Sequence, residues 1–376
     1  MIVAIFYFIS VFILLLYAAF LILPAIYFHF CKKNVSAKKS ELKLISIILP
    51  VRNEEKNIAL CLESLKKLDY PESLFEIILI NDHSTDQTKN IAERFLKTIS
   101  NLRIIDNSEN SQGKKSAITN GINHSKGEII VTTDGDCIVP NSWLKNISDV
   151  FADEMVEFAA GPVAYKKNNY MFRDFLEIEQ ISLQIISGGS MIYGIPLMCS
   201  GANLAYTKKF FSDCGGYNND KFASGDDMFL MTKAAKLQKG KIRFIPKKSA
   251  IVLTNSALGW SEAISQRGRW LSKFSTYRNS ATGIIGILVF LAGFLPIILA
   301  IFSIVYPILL PVLISALIGK TMIDLLLLSL AVPFFREPRL LLLAPLAEIF
   351  YSFLAVFSTI AGLSGRYSWK GRKWNR

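Results

Sequence analysis

The sequence predicts an α/β domain with a mostly parallel sheet, flanked by N- and C-terminal transmembrane helices. Three observations lead to this prediction. The longest apolar runs stand at the two ends of the 376-residue chain, of which 51% is hydrophobic. Between residues 44 and 280, short apolar runs alternate with amphipathic ones, as is typical of strands and helices in a parallel sheet. One β-branched run stops abruptly at two aspartates, Asp134 and Asp136.

The first segment, residues 1–30, is predicted to be a membrane anchor. Its apolar run is too long for a signal-peptide core and lacks a basic start or an Ala-x-Ala cleavage site. Four lysines follow it closely: Lys32, Lys33, Lys38 and Lys39. Because basic residues stay on the cytoplasmic side, we expect the next domain in the cytoplasm and the N-terminus outside. Five cysteines without framework spacing agree with a reducing compartment.

The C-terminal membrane region, residues 281–363, is less regular. Ala281–Tyr306 and Leu340–Leu363 each suit one span. Pro307–Phe335 carries a lysine and an aspartate, so one tilted helix and a broken, re-entrant pair both remain open. The basic, aromatic tail at 364–376 favours a cytoplasmic end and therefore an even number of crossings, whereas three spans would place it outside.

The net charge of +12 raises the question of a nucleic-acid partner. Much of the excess lies beside membrane segments, where anionic lipid attracts each basic residue by roughly 1 kcal/mol. The membrane surface is therefore the simpler partner, and no nucleic-acid binding is predicted. The three histidines show no metal-ligand spacing with the cysteines, which argues against a zinc site.

Residues 44–280 are predicted to form strands and helices in turn. The predicted strands are Leu44–Leu49, Phe75–Ile80, Leu102–Ile105 and Glu128–Thr133. The predicted helices between them are Glu54–Leu68, Thr88–Ile99 and Gly113–Asn123. Alternation of this kind implies a largely parallel sheet, whose ligands bind at the carboxyl ends of the strands.

Polar residues follow three of these strands at the point where each ends. Arg52 and Glu54 come after the first strand, Asp82 after the second, and Asp134 and Asp136 after the fourth. Because the carboxyl ends of parallel strands meet at one edge, a single cleft should collect these side chains. Two carboxylates beyond a buried strand can hold a divalent cation and its phosphate ligand. The sequence therefore predicts a catalytic edge here.

Structural alternatives exist for the residues around this edge. Asn53 and Asp86 could equally be helix N-caps. Asp82 directly follows its strand, ahead of the cap, where a carboxylate can accept hydrogen bonds from a nucleobase or ribose. Gly113-Lys114 matches only half of a phosphate loop, because the upstream glycine is absent. A lysine at a helix start can still approach a diphosphate, although a solvated surface is the alternative.

Six motifs stand in the order and approximate spacing of family-2 glycosyltransferases. They are Pro50-x-Arg52-Asn-Glu54, Asn81-Asp-x-Ser-Thr-Asp86, Gly113-Lys114, Asp134-x-Asp136, Gly225-Asp-Asp227 and Gln266-Arg-x-Arg-Trp270. The chain resembles a membrane-anchored member of that family with a GT-A domain, closely so over residues 44–275. Its flanking spans resemble the membrane-bound branch, which includes ceramide glucosyltransferases and bacterial polysaccharide synthases.

The resemblance implies a nucleoside diphosphate sugar as donor, usually a UDP-sugar. The residues it assigns to the donor are Pro50, Arg52, Glu54, Asp82, Lys114, Asp134 and Asp136. Glu54 and Asp82 would contact the base and ribose, with Lys114 nearby. Asp134 and Asp136 would bracket the diphosphate and hold Mg²⁺ or Mn²⁺, with Asp136 as a direct ligand. A Lewis acid stabilises the charge that develops on the leaving nucleoside diphosphate.

Inversion in one displacement also needs a general base on the acceptor hydroxyl. Asp227 is the candidate, at the start of an apolar helix that runs to Leu237. The alternative is that Asp226 and Asp227 only favour the helix N-terminus electrostatically. The family often has Glu-Asp here, so the second acid is retained and the role of Asp226 stays open. On the acceptor side, the resemblance implies Gly201.

The motif Gln266–Trp270 lies on a predicted helix, Trp260–Phe274, just before the first C-terminal span. In similar enzymes this motif closes over the diphosphate and the acceptor. The residues that the resemblance assigns to this task are Gln266, Arg267, Arg269 and Trp270. An interfacial helix, with arginines on headgroups and Trp270 in the aromatic belt, is equally compatible with the sequence.

Together these features predict an inverting glycosyltransferase of the bacterial inner membrane, with its catalytic domain in the cytoplasm. It would move a sugar from a UDP-sugar to a membrane-presented hydroxyl, on a lipid. A polysaccharide synthase that needs partner subunits is the first alternative. A sugar-nucleotide pyrophosphorylase would not need Gln266–Trp270 beside a membrane, and the complete carboxylate set argues against a non-enzymatic scaffold.

Overall fold

The structure is a computed structural model that describes part of the chain. The described residues are 2–31, 41–108, 112–168, 170–217, 225–237, 241–271, 281–363, 366–369 and 372–375. The four lysines expected to mark the cytoplasmic side, Lys32, Lys33, Lys38 and Lys39, lie outside them. So do parts of the basic tail, of which two four-residue strands are described.

The chain divides into two units. The sheet unit comprises Phe30–Lys166 and Ser190–Asn255, and the helical unit comprises Met1–His29, Lys167–Gly189 and Ser256–Arg376. The predicted domain at 44–280 is therefore distributed over both units.

The described helices and strands are as follows. The helices are α1 (Ile2–Cys31), α2 (Ile58–Lys66), α3 (Thr88–Arg94), α4 (Lys114–Asn123), α5 (Trp143–Val150), α6 (Met171–Tyr193), α7 (Lys208–Asp213), α8 (Asp226–Leu237), α9 (Trp260–Leu271), α10 (Ala281–Val305), α11 (Leu310–Phe335) and α12 (Leu340–Leu363). The strands are β1 (Ile45–Val51), β2 (Phe75–Asn81), β3 (Leu102–Asp106), β4 (Ile129–Thr132), β5 (Val156–Ala160), β6 (Val163–Tyr165), β7 (Leu204–Thr207), β8 (Lys241–Phe244), β9 (Val252–Thr254), β10 (Arg366–Trp369) and β11 (Arg372–Asn375).

The main sheet has seven strands in the order β3-β2-β1-β4-β7-β5-β8. The four strands from β3 to β4 are parallel, β7 is antiparallel to both its neighbours, and β8 is parallel to β5. The predicted parallel sheet and its four strands are thereby confirmed. Val51 pairs with Asn81, and Asn81 with Asp106, so the carboxyl ends of β1, β2 and β3 are level.

The apolar strand residues are buried on both faces of this sheet. Ile47 and Leu49 of β1 are fully buried in one cluster with α2 and α5 residues. On the other face, α4 lies so close that a Cβ on Gly121 would come within 2.6 Å of the Ile48 side chain. Each buried aliphatic side chain contributes about 1.5–3 kcal/mol to the free energy of folding. A strand that is buried on both faces therefore favours apolar residues at successive positions, which explains the continuous β-branched runs.

Two predicted helices differ in their bounds. The predicted helix at Glu54–Leu68 begins only at Ile58, because Asn53 has a left-handed φ of 50° and the next residues form turns. Helix α3 ends at Arg94 and continues as a 3₁₀ turn, Phe95–Lys97.

The helical unit contains long apolar helices. Among the described residues, four helices are long and apolar enough to cross a membrane, α1 and the three at 281–363. Pro307–Phe335, for which the sequence leaves two structures open, is a 3₁₀ turn followed by the continuous helix α11. Three apolar helices follow the sheet unit, an odd number, whereas the basic tail favours an even one. The side of the membrane on which the tail lies stays a prediction.

The two charges on α11 have partners within the helical unit. Nζ of Lys320 lies 2.6 Å from the carboxylate of Asp324 and 2.5 Å from that of Glu348 on α12. The hydroxyl of Tyr17 on α1 donates to Asp324 at 2.6 Å. Ionisable groups on apolar helices are expected to pair in this way, and this cluster joins α1, α11 and α12.

Candidate active site

The loops after β1 and β2 are bonded to each other at the carboxyl edge of the sheet. The guanidinium of Arg52 donates to the main-chain oxygens of Asp82 and His83, both at 2.7 Å. Asn53 accepts at Oδ1 from the main-chain N of Thr85 at 2.9 Å. Asn53 is therefore not the N-cap of α2; it ties the two loops. Arg52 acts here on main-chain carbonyls, so its contact with the donor stays a prediction.

Asp82 is buried, with 3% of its surface exposed. Its carboxylate accepts from the main-chain N of Gly113 at 3.1 Å and from Nδ2 of Asn107 at 3.0 Å. Gly113, with φ of 100°, is the residue before α4, so Asp82 holds the start of the helix that begins with Lys114. Sequence reasoning missed Asn107, although it follows β3 directly and the rule that finds Asp82 would also find it.

Glu54 lies between this loop pair and the acidic turn. It is 6% exposed, and its carboxylate accepts from Nδ2 of Asn57 at 2.9 Å. A Cβ on Gly135 would come within 3.0 Å of the Glu54 side chain, so the turn that carries Asp134 and Asp136 packs against Glu54. Pro50 lies within β1, in register with Ile80.

Asp134 and Asp136 form a candidate site for a cation. One ligand atom from each of Asp134, Asp136 and Cys137 lies within 4.8 Å of the others. Nζ of Lys114 lies 2.7 Å from Oδ1 of Asp134. Lys114 is therefore at the acidic turn, and its place beside the base and ribose stays a prediction.

The chemistry of this donor set favours a hard cation. Burial, followed by the nearby charge of Asp136, raises the pKa of the thiols of Cys61 and Cys137 above its ordinary value. A thiol is also a soft ligand, which suits Zn²⁺ or Cu⁺ better than Mg²⁺ or Mn²⁺. The two carboxylates remain, and carboxylate oxygens suit Mg²⁺ or Mn²⁺.

Asp136 is held by residues that sequence reasoning did not find. Oγ1 of Thr254 donates to its Oδ2 at 3.1 Å, and Nζ of Lys166 donates to its main-chain oxygen at 2.7 Å. Thr254 is 118 residues from Asp136 in the chain, and no local pattern marks it.

Asp227, the candidate base, stands at the start of α8. Its Oδ2 accepts from the main-chain N of Gly201 at 3.0 Å and its Oδ1 from that of Met228 at 2.7 Å. The carbonyl of Gly201 accepts from Thr132 at 3.2 Å, at the end of β4. The strand that leads to Asp134 therefore also positions Gly201 and, through it, Asp227. Asp226 begins α8, and its side chain lies outside the described residues.

Two further segments of the sheet unit, the one that contains Asn203 and the one at Cys214–Tyr217, have structural tasks. Asn203 is 1% exposed, accepts from Nε1 of Trp143 at 2.9 Å, and donates to the carbonyls of Pro162 and Ala250, both at 2.9 Å. Its side chain thus ties β7 to neighbouring segments. The turn at Cys214–Tyr217 contains two glycines with positive φ, and the Lys233 ammonium on α8 donates to two of its carbonyls.

The motif Gln266–Trp270 lies on α9 in the helical unit. Arg267 is 6% exposed and forms an ion pair with Glu179 on α6. Its guanidinium also lies 5.6 Å from the centre of the Trp270 ring, which is 41% exposed. Arg267 thus has a structural partner, and its contact with a diphosphate stays a prediction, as it does for Arg269. Within the part of the chain that the structure describes, Oε1 of Gln266 is buried without a hydrogen-bond partner.

The structure thus brings most of the predicted residues together within the sheet unit. They are Pro50, Arg52, Glu54, Asp82, Lys114, Asp134 and Asp136 on the donor side, with Gly201 and Asp227 linked to them through β4. Their assignment to particular substrate groups remains a prediction.

Comparison with known proteins supports the sequence resemblance. Residues 46–215 match the family model described as Glycosyl transferase family 2. Glycosyltransferase AglE of Haloferax volcanii is 35% identical over 130 residues, 35% of this chain and 42% of that protein. Beta-monoglucosyldiacylglycerol synthase of Nostoc sp. is 27% identical over 237 residues, 62% of this chain and 49% of that protein. The chain spans about half the length of the curated relatives it matches.

A solved structure supports the fold. The mannosyltransferase PcManGT from Pyrobaculum calidifontis, solved in complex with GDP-Man and Mn²⁺, has a TM-score of 0.59 at 17% identity. The match covers 95% of this chain and 99% of that chain. At this identity the likeness shows the fold alone, and it confirms the predicted GT-A class.

Proposed function

We propose that the chain, whose residues 46–215 match the model of Glycosyl transferase family 2, is an inverting glycosyltransferase that uses a UDP-sugar and a membrane-presented hydroxyl, on a lipid. One observation carries the proposal. The strand β4 leads to the carboxylates of Asp134 and Asp136 and, through Thr132 and Gly201, also positions the carboxylate of Asp227. A cation site and a candidate base thus share one rigid element.

The donor side is built for a nucleoside diphosphate. Asp82 holds the start of α4, where main-chain N–H groups and Lys114 favour negative charge. Asp134 and Asp136 would hold Mg²⁺ or Mn²⁺, which would stabilise the charge on the leaving nucleoside diphosphate.

The local charges agree with such a ligand. The ammonium groups of Lys114 and Lys166 lie beside the turn that carries Asp134 and Asp136. With a divalent cation on the two carboxylates, these ammonium groups would attract the negative charge of a diphosphate.

Asp227 would remove the proton from the acceptor hydroxyl while that oxygen attacks the anomeric carbon. Gly201 and Met228 donate main-chain hydrogen bonds to its two oxygens, which favours the ionised form that a base requires. In one displacement the C–O bond to the acceptor forms as the bond to the diphosphate breaks, so the anomeric centre inverts.

The acceptor proposal depends on the helical unit. Four helices are long and apolar enough to cross a membrane among the residues described, and one relative is named a monoglucosyldiacylglycerol synthase. The exposed ring of Trp270 and, within the described residues, the buried and unpartnered Oε1 of Gln266 support a role for α9 in acceptor binding. We place the protein in the bacterial inner membrane with its sheet unit in the cytoplasm.

A transfer assay tests the proposal. Purified full-length protein in detergent, with bacterial lipid extract, Mn²⁺ and a radiolabelled UDP-sugar, should yield an organic-soluble product that carries one sugar. A ladder of water-soluble oligosaccharides would contradict the single transfer and favour the polysaccharide synthase. GDP-Man should be run in parallel; consumption of GDP-Man alone would contradict the uridine donor.

Asp136→Asn tests the metal. A neutral amide cannot replace a charged ligand to a hard cation, so calorimetry should show that Mn²⁺-dependent UDP binding is lost. Asp69→Asn makes the same chemical change at an exposed residue of the sheet unit and should bind as the wild type does. If Asp136→Asn binds UDP in the presence of Mn²⁺ as tightly as the wild type does, other residues bind the metal.

A further inference from the structure

A second, smaller sheet lies beside the acidic turn. It consists of β6 and β9, which are parallel and pair Val163 with Val252 and Tyr165 with Thr254. The residue after β6 is Lys166, and its main-chain N donates to the carbonyl of Thr254 at 2.8 Å. No sequence motif marks either strand.

This small sheet is bonded to the chain that leaves the acidic turn. Ile138, two residues after Asp136, exchanges both main-chain hydrogen bonds with Leu253 of β9, at 2.8 and 2.9 Å. This pairing fixes β9 in register with the turn. As a result Thr254, the last residue of β9, lies beside the carboxylate of Asp136.

Three hydrogen bonds then close a ring around Asp136. Thr254 donates from Oγ1 to Oδ2 of Asp136, Lys166 donates from Nζ to the carbonyl of Asp136, and Lys166 donates from its main-chain N to Thr254. Both the side chain and the main chain of Asp136 are thus oriented by residues on the small sheet.

A hydroxyl at this position can act in two opposite ways. If it competes with a cation for Oδ2, its removal tightens cation binding. If it orients the carboxylate while the other lone pairs face the cation, its removal weakens binding, because the unrestrained carboxylate loses rotamer entropy on binding. The second action agrees with the ring, since Lys166 holds the main chain of the same residue and Thr254 fixes the direction of its carboxylate.

We propose that Thr254 is a positioning residue for the cation ligand Asp136, so that the small sheet β6–β9 sets the metal affinity of the active site. This inference rests on the proposed function, because it requires that Asp136 bind a divalent cation. In this role Thr254 acts through its hydrogen bond to Asp136 and not as a ligand of the cation.

The test compares Thr254→Val, which keeps the shape and removes the hydroxyl, with Thr254→Ser, which keeps the hydroxyl. Thr98→Val is the matched control, because Thr98 is exposed in the same unit and its hydroxyl donates to the carbonyl of Phe95, within its own turn. Mn²⁺ binding is measured by electron paramagnetic resonance with UDP present and, separately, with GDP present. Thr254→Ala replaces the valine variant if that variant does not fold.

We expect Thr254→Val to raise the Kd for Mn²⁺ by about 10-fold or more, as for other outer partners of metal ligands. Thr254→Ser should bind close to the wild type, and Thr98→Val should be unchanged. In turnover assays the loss in Thr254→Val should be recovered by excess Mn²⁺, which a general folding defect would not show.

The outcomes separate this inference from the proposal on which it rests. If the wild type fails to bind Mn²⁺ both with UDP and with GDP, the proposed function and the role of Thr254 are both overturned. The same holds if Asp136→Asn binds Mn²⁺ as well as the wild type does. If those two behave as expected but Thr254→Val binds Mn²⁺ as well as or better than the wild type, only the positioning role of Thr254 is overturned.

Discussion

Replacement of Asp227 by asparagine isolates the proposed general base. The carboxylate of Asp227 accepts two main-chain hydrogen bonds, from Gly201 at 3.0 Å and from Met228 at 2.7 Å. Asparagine has the same size but only one acceptor oxygen, and its amide group is not basic. The variant should therefore lose the base and keep the shape of the site.

The magnitude follows from these contacts. Loss of a positioned base lowers turnover by about 100-fold or more, which corresponds to about 2.7 kcal/mol in the barrier. One of the two main-chain donors also loses its acceptor, at a cost of about 1–3 kcal/mol in local stability. Helix α8 should remain in place, because Lys233 still bonds to the carbonyls of Cys214 and Gly216.

The assay measures turnover and nucleotide binding in the same preparation. We expect UDP and Mn²⁺ affinity in Asp227→Asn to stay near the wild-type value while turnover falls. Asp69→Asn, at an exposed position, controls for the chemical change. Near-normal turnover would refute the reasoning and transfer the role to Asp226 or to another group. A loss of UDP binding would show instead that the contact with Gly201 shapes the donor side.

The remaining predictions concern the acceptor, the helical unit and pH. Trp270→Ala should raise the KM for the proposed lipid acceptor and slow transfer, because the exposed ring is proposed to contact the acceptor. The Kd for UDP should change little. An equal loss of affinity for the acceptor and for UDP would contradict this prediction. Lys320→Met leaves the half-buried carboxylate of Asp324 and the buried one of Glu348 without their cation. We expect the free energy of unfolding to fall by about 3–5 kcal/mol, measured as a lower unfolding temperature in detergent and recovered in part by adding Glu348→Gln. The hydrogen bond from Asn81, followed by Lys89, lowers the pKa of Asp106, so its stabilisation is present above the ordinary carboxyl pKa of about 3.9 and is lost as pH falls through the lower folded value. The ion pair between Lys89 and Asp106 is exposed, so Asp106→Asn should lower the free energy of unfolding at pH 7 by only about 0.2–1 kcal/mol. The variant should also lose less stability than the wild type on acidification. Thermal unfolding at pH 7 and at pH 3 measures both effects.

The sequence alone determined the parallel half of the main sheet and the edge that carries the site. Burial on both faces of a strand requires a continuous apolar run, and the run at β4 and the carboxylates after it are neighbours in the chain. Because β2 and β4 both pair in parallel with β1, their carboxyl ends lie at the same edge, so Asp82 and Asp134 could be assigned to one edge from the sequence.

Helix bounds were less predictable, because a turn depends on partners as well as on periodicity. The amphipathic pattern begins at Glu54, yet α2 starts at Ile58. Asn53 accepts a hydrogen bond from Thr85, and the main-chain N–H of Glu54 donates to the hydroxyl of Thr88. These bonds to the segment after β2 hold Asn53 and Glu54 in a turn, outside the helix. A local pattern does not contain that information.

Only the tertiary structure decided which distant residues meet. Asp136 and Thr254 are 118 residues apart, and Tyr17 and Asp324 are 307 residues apart. The sequence showed the charges of Lys320 and Asp324 as anomalies in an apolar run, but not that Glu348 and Tyr17 balance them. Nor did it show that the guanidinium of Arg267 pairs with Glu179. Such partners are chosen by strand register and helix packing, because a hydrogen bond or ion pair depends on distances of a few ångströms that sequence separation does not specify.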